Sequence, residues 1–295
     1  MNYHKRILAI ILAICTYLLV IFIPFHRVAA HWQLHSPTKP LFQVSVGWAV
    51  PTTTTRYEEN YRSGTAHPTI WLFQVSANQD NSLFPAAKPH PLPPTLARWF
   101  DSRGDYFEAV TPLDVGYLVW SRFPIQVYVQ QPKPDDDLSS FENQTLVAWA
   151  MVVKEVVDDW NAYLPLELVA TPEMADIMIW RRRPPLRLSA TGEILRARSA
   201  ETRYELILSQ DTPPILSHKC NIFINPTQKG KYLEAAARHE LGHALGIWGH
   251  SPWPEDTMYF AQVASPPPIS PRDVNTLKRV YEQPTRLGWP LEGEG

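Results

Sequence analysis

His239 and His243 stand four residues apart in the stretch Arg238-His239-Glu240-Leu241-Gly242-His243-Ala244-Leu245-Gly246-Ile247-Trp248-Gly249-His250-Ser251. On a helix that spacing stacks two imidazoles on one face, where both can reach a single ion. Glu240 falls too far round the helix to be a third ligand and is placed instead to take a proton from a water at the metal. Helical spacing ends at Gly246, where the missing Cβ lets the chain turn sharply and bring His250 back as the third ligand. Asp256 is the alternative third ligand, because carboxylates also bind zinc. Three protein ligands with an open fourth position define a catalytic zinc, whereas a structural zinc is closed by four. The expected chemistry is therefore hydrolysis, with one Zn2+ on His239, His243 and His250 and with Glu240 as general base.

Such a site needs a helix beneath it and a core to hold that helix. Tyr232 to about Leu245 supplies the helix, packing Leu233, Ala236, Leu241 and Leu245 inward while the histidines face a cleft. A second amphipathic helix is expected from Phe141 to Tyr163, where Leu146, Trp149, Val153, Val156 or Val157, and Trp160 recur at three- and four-residue intervals. Alternating or β-branched runs predict strands at Phe123 to Val129, Glu167 to Ala170, Ala175 to Trp180, Tyr204 to Leu208 and Asn221 to Ile224. Ser270-Pro271-Arg272-Asp273 starts a last helix: Ser270 caps it, Pro271 takes the first turn and Asp273 favours its positive end. Pro284 closes that helix, and Leu287 to Gly295 reads as a short loose tail.

The front of the chain reads differently. His4, Lys5 and Arg6 precede an apolar run from Ile7 to Ile23, an export signal whose length lies between a cleavable signal peptide and a membrane anchor. Either way the catalytic part is expected outside the cytoplasm, membrane-anchored by the N-terminal helix or secreted after cleavage. Residues 31–117 are rich in Pro, Thr and aromatics, with one strand-like piece at Thr69 to Val75 and a Pro-laden, extended stretch from Phe84 to Pro94. This region reads as a linker, a pro-segment or a docking strap. Cys15 lies in the apolar run and Cys220 stands alone beyond it, so no disulfide can form within the exported part. Cys220 beside Ile222 and Ile224 reads as a small buried residue. At 45% hydrophobic and 19% charged, the chain can bury a sizeable core. It carries no basic domain or nucleic-acid motif, which disfavours DNA or RNA as a partner.

The zinc stretch, followed by Thr257-Met258-Tyr259, resembles the metzincin metalloproteases, whose pattern is His-Glu-x-x-His-x-x-Gly-x-x-His with a later Met-turn. The pairs His250-Ser251 and Met258-Tyr259 are closest to the matrixin branch, the matrix metalloproteinases and their bacterial relatives. Trp160-Asn161 before Leu164-Pro165-Leu166, with Ala175 to Ile179 beyond, is also similar to the front half of a matrixin domain. The resemblance covers roughly Val119 to Gln283. It implies an α+β, zincin-like catalytic domain over 118–285: a twisted mixed sheet with a long packing helix, an active-site helix and a C-terminal helix. It further implies a zinc endopeptidase that receives a polypeptide in extended form along an open sheet edge, with Met258 as a floor under the histidines.

Two departures accompany the resemblance. Gly246 and His250 are separated by Ile247, Trp248 and Gly249, one residue more than the pattern allows, and Gly249 is expected to absorb the extra residue through a backbone conformation open mainly to glycine. Matrix metalloproteinases stay latent through a propeptide cysteine on the zinc, and residues 31–117 contain no cysteine. Asp101 and Asp105 could do that job, or be ordinary surface carboxylates. No His-x-Asp or clustered acidic pattern suggests a second metal, and His218 reads as structural. The rival function is a non-catalytic, membrane-anchored binding protein using the zinc fold as scaffold. A second rival is a zinc hydrolase of a non-peptide amide.

Overall fold

The computed structural model describes residues 42–48, as backbone, together with 84–186 and 198–291. Met1 to Ala30 and the strand expected at Thr69 to Val75 lie outside the described residues. Among the described residues, no helix is long and apolar enough to cross a membrane.

A six-stranded mixed sheet organises the protein. Its strands are β1 (Phe42–Trp48), β2 (Ile125–Val129), β3 (Leu166–Leu168), β4 (Ile177–Arg181), β5 (Ala200–Leu208) and β6 (Leu216–Ile224), in the order β1-β5-β6-β4-β2-β3. β3, β2, β4 and β6 run parallel, whereas β5 is antiparallel to β6 and β1 antiparallel to β5. The period-2 pattern of β6 makes the physical point. Leu216, His218, Cys220, Ile222 and Ile224 are buried while the residues between them are half-buried, as one covered face requires.

Two long helices supply that cover. α2 (Phe141–Asn161) lies against β2 and β3, α3 (Lys231–Ala244) lies against β5 and β6, and the two helices touch each other. Ser140 caps α2 by accepting the Asn143 N–H, and Trp149, Val153, Val156, Val157 and Trp160 form its buried stripe. Trp160 is fully buried, and its indole N–H donates to the Arg238 carbonyl of α3 at 3.0 Å. Truncating such a residue costs about 3–5 kcal/mol, so the pair of helices is held as a unit. α4 (Pro271–Tyr281) carries the expected Ser270 cap, completed into a capping box by Asp273.

The Pro-rich stretch forms no helix over 84–93 before Pro94 opens the short helix α1 (Pro94–Arg98) at its first position. It belongs to the same core as the sheet: Leu96, Tyr106, Phe107, Val110 and Val115 are buried with it, and Lys88 bridges Thr285 through paired backbone hydrogen bonds. Over 287–291 the C-terminal segment is not loose. Leu287 is buried, Gly288 N–H donates to Leu216 O at 2.7 Å, and Leu216 N–H donates to Trp289 O at 3.1 Å. Trp289 also stacks on His90 with ring centroids 4.3 Å apart. Apolar and aromatic side chains in a short polar-looking tail found partners far away in sequence. β5 and β6 each begin earlier than their sequence patterns suggest, because the ladder between them runs from Ala200↔Ile224 to Leu208↔Leu216.

Candidate metal centre

α3 is buried along nearly its whole length, wedged between the sheet and α2. Its small residues make this possible. A Cβ on Gly242 would collide with the sulfur of Met258 and come within 3.1 Å of Trp160, so glycine lets Met258 pack directly against the helix. The helix ends in a glycine turn: Gly246 N–H donates to His243 O at 3.0 Å and Ile247 N–H to Gly242 O at 3.1 Å. Gly246 adopts φ 128°, and a Cβ there would sit 2.7 Å from the Leu118 carbonyl. The last carbonyls are also satisfied, by Trp120 Nε1–H on Ala244 O at 2.9 Å and Tyr281 O–H on Leu245 O at 3.0 Å.

That turn brings His239, His243 and His250 together, each offering a nitrogen, with the three nitrogens all within 4.8 Å of one another. The ring centroids form a near-equilateral triangle of 4.7, 4.9 and 5.2 Å. Backbone carbonyls fix the tautomers, because a carbonyl can only accept. His239 Nδ1–H donates to Thr257 O at 2.9 Å and His243 Nδ1–H to Ile247 O at 2.7 Å, which places the lone pair on each Nε2. The Nε2 atoms of His243 and His250 are buried with no hydrogen-bond partner, the condition a metal ligand would relieve. Burial, and then the mutual repulsion of the rings, holds His239 down to about 3 and His243 well below the ordinary range. Burial and then the charge of Arg198 hold His250 down to about 4. All three are neutral at physiological pH, as ligation demands. The three histidines therefore fit one metal ion.

Asp256 is not part of this cluster. Its buried carboxylate accepts the Ser251 hydroxyl and pairs with Arg272 at 2.7 Å, which fixes the loop after His250 instead. Gly249 also works differently from expectation. Its φ is not positive; glycine is required because a Cβ would run into the Ala109 carbonyl and lie 2.9 Å from Val110 Cα. The extra residue before His250 is accommodated by close backbone approach to the Phe107–Ala109 turn.

Glu240 is buried on α3, outside the histidine cluster, with Oε2 accepting the Thr202 hydroxyl of β5 at 2.6 Å. Nothing in the sequence pointed to Thr202, because its partner is on another element. Asp273 was read only as a helix-end charge, yet its carboxylate accepts Tyr106 O–H at 2.6 Å, Thr257 N–H at 2.9 Å and Met258 N–H at 3.3 Å. It thereby pins the Thr257-Met258 turn, and with it the carbonyl that orients His239, to the start of α4. Asp101 and Asp105 pair with Arg103 and Arg279 at the surface. His218 is buried against Trp120, ring centroids 3.8 Å apart, and Cys220 is buried with its thiol pushed up by burial.

Set beside known proteins, the chain matches no family model and no curated sequence.

Proposed function

We propose that this protein is an exported zinc endopeptidase of the metzincin type, closest to the matrixins. The observation that carries the reading is the three-histidine cluster on a helix and its glycine turn, with a buried carboxylate, Glu240, in the residue after the first ligand. His239, His243 and His250 would hold the ion, and their carbonyl-bound Nδ1 atoms keep the imidazoles oriented. Bound zinc supplies Lewis acidity, polarising a scissile carbonyl and acidifying water. Glu240 takes the proton of the attacking water and delivers it to the leaving amine nitrogen. Thr202 holds the Glu240 carboxylate in one orientation for both transfers. The substrate is a polypeptide in extended form, added along the sheet edge beside α3. Export through Met1 to Ala30 places the reaction outside the cytoplasm.

Zinc content and cleavage of unstructured casein by the full chain test this reading. The wild type is expected to hold about one zinc and cut; Glu240→Gln should hold the zinc and cut at least ~100-fold more slowly. His243→Ala should lose the zinc. Full zinc occupancy in His243→Ala would overturn the ligand assignment, and zinc with undiminished turnover in Glu240→Gln would overturn the base. Zinc binding without cleavage by any form would favour the non-catalytic scaffold.

A further inference from the structure

β5 adjoins the helix that carries His239 and His243, and Thr202 in its first half bonds Glu240 of that helix. One of its edges is consumed along all nine residues by β6. Among the described residues, its outer edge is the sheet edge that lies beside α3, because the sheet's other end, β3, lies against α2. That outer edge is taken by the protein itself. β1 pairs antiparallel with β5 through seven consecutive residues, from Phe42↔Leu206 to Trp48↔Ala200, with Val46 opposite Thr202. β1 also lies against α3. Seven paired residues span about 24 Å, enough to cover the strand on both sides of Thr202.

We propose that β1 is an internal occupant of the substrate position: Phe42–Trp48 fills the edge of β5 that an extended polypeptide must join, so β1 competes with substrate and the full chain cuts slowly, only while β1 is displaced. The proposal rests on the peptidase reading for what the edge is used for. Physically it needs no cysteine and no contact with the metal. A sheet edge has one set of N–H and C=O groups, and two strands cannot bond them at once. Displacement then exchanges one seven-residue ladder for another. Cutting the chain between β1 and the rest would make displacement easier, because the intramolecular strand would lose its high effective concentration.

The test uses the full chain in a Glu240→Gln background, where a bound peptide stays intact, and reads anisotropy of a fluorescent casein-derived decapeptide. In Ser45→Pro/Val46→Pro, one of the two prolines must remove an N–H that faces β5, since successive N–H groups alternate in direction. The peptide should bind at least tenfold tighter to this variant than to the unmodified chain. Should it fold poorly, Ser45→Cys/Arg203→Cys gives a reversible lock, since these residues are cross-strand partners. The oxidised form should lose peptide binding at least tenfold and the reduced form should regain it. Equal binding by the oxidised and reduced forms, or no binding by any form, overturns the proposal and makes β1 an ordinary sixth strand. Casein cleavage with Glu240 restored separates the two readings. Tighter binding in the proline variant without cleavage keeps the occupant and sinks the peptidase, whereas cleavage unaffected by the lock sinks the occupant alone.

Discussion

His218 is a buried imidazole with an unpartnered Nε2 against the face of Trp120, and burial alone pulls it down to about 3. In the unfolded chain it titrates near 6.5. Between those values the unfolded state takes up a proton that the folded state refuses, so stability is greatest above about pH 6.5 and falls as the pH drops. Each such proton steepens the dependence by about 1.4 kcal/mol per pH unit. Replacing His218 by Gln should remove one proton's worth of that slope between pH 6 and 4.5, read from urea melts across a pH series. An unchanged slope would mean that His218 is charged in the fold. The same desolvation that makes His218 a liability in acid keeps His239, His243 and His250 neutral and able to ligate.

The glycine turn after α3 is what brings a third histidine to the two on the helix. Gly246 supplies the positive φ and Gly249 the close approach, so they are not interchangeable. Gly249→Ala forces a methyl into the Ala109 carbonyl and must push the His250 loop away from the Phe107–Ala109 turn. Overpacking of this kind costs about 1–3 kcal/mol. The variant should unfold at correspondingly lower urea and bind zinc more weakly, as read by competition with a chromogenic chelator. Wild-type values for both would show that the loop moves freely. The turn was visible as a glycine between ligands, but its real constraint comes from a backbone carbonyl contributed far upstream, which spacing alone does not reveal.

For the whole molecule, the three-histidine cluster is tied to every layer. Its helix is held by Trp160 of α2 and its turn by Trp120 and Tyr281, while Asp273 anchors the Thr257-Met258 loop. A ligand that binds only this assembled state stabilises it by about 4.1 kcal/mol when present at a thousand times its Kd. For a domain of this size that is roughly 8–16 °C in Tm. Adding a strong chelator to the zinc-loaded chain should lower its Tm by that order in a scanning calorimeter, and His243→Ala should show no such drop. A wild-type Tm indifferent to chelator would mean that the histidines do not hold an ion that matters to the fold.

Short-range patterns were decided by the sequence itself. The i,i+4 histidines, the stripe of α2 and the Ser270-Pro271-Arg272-Asp273 start of α4 each follow from a period of 3.6 residues or a cap within one turn, and all appear where that chemistry puts them. Alternation fixed β2 and β4 for the same reason. Only the folded chain decided what depends on which surfaces meet. The residues of the front region predict one strand, at Thr69 to Val75, and miss Phe42–Trp48, because what makes the latter segment a strand is β5, far along the chain. Likewise the Thr202–Glu240 bond, the removal of Asp256 to Arg272 and the docking of Trp289 join groups that share no local pattern. Periodicity records how an element faces a core; it carries no record of the partner that completes the core.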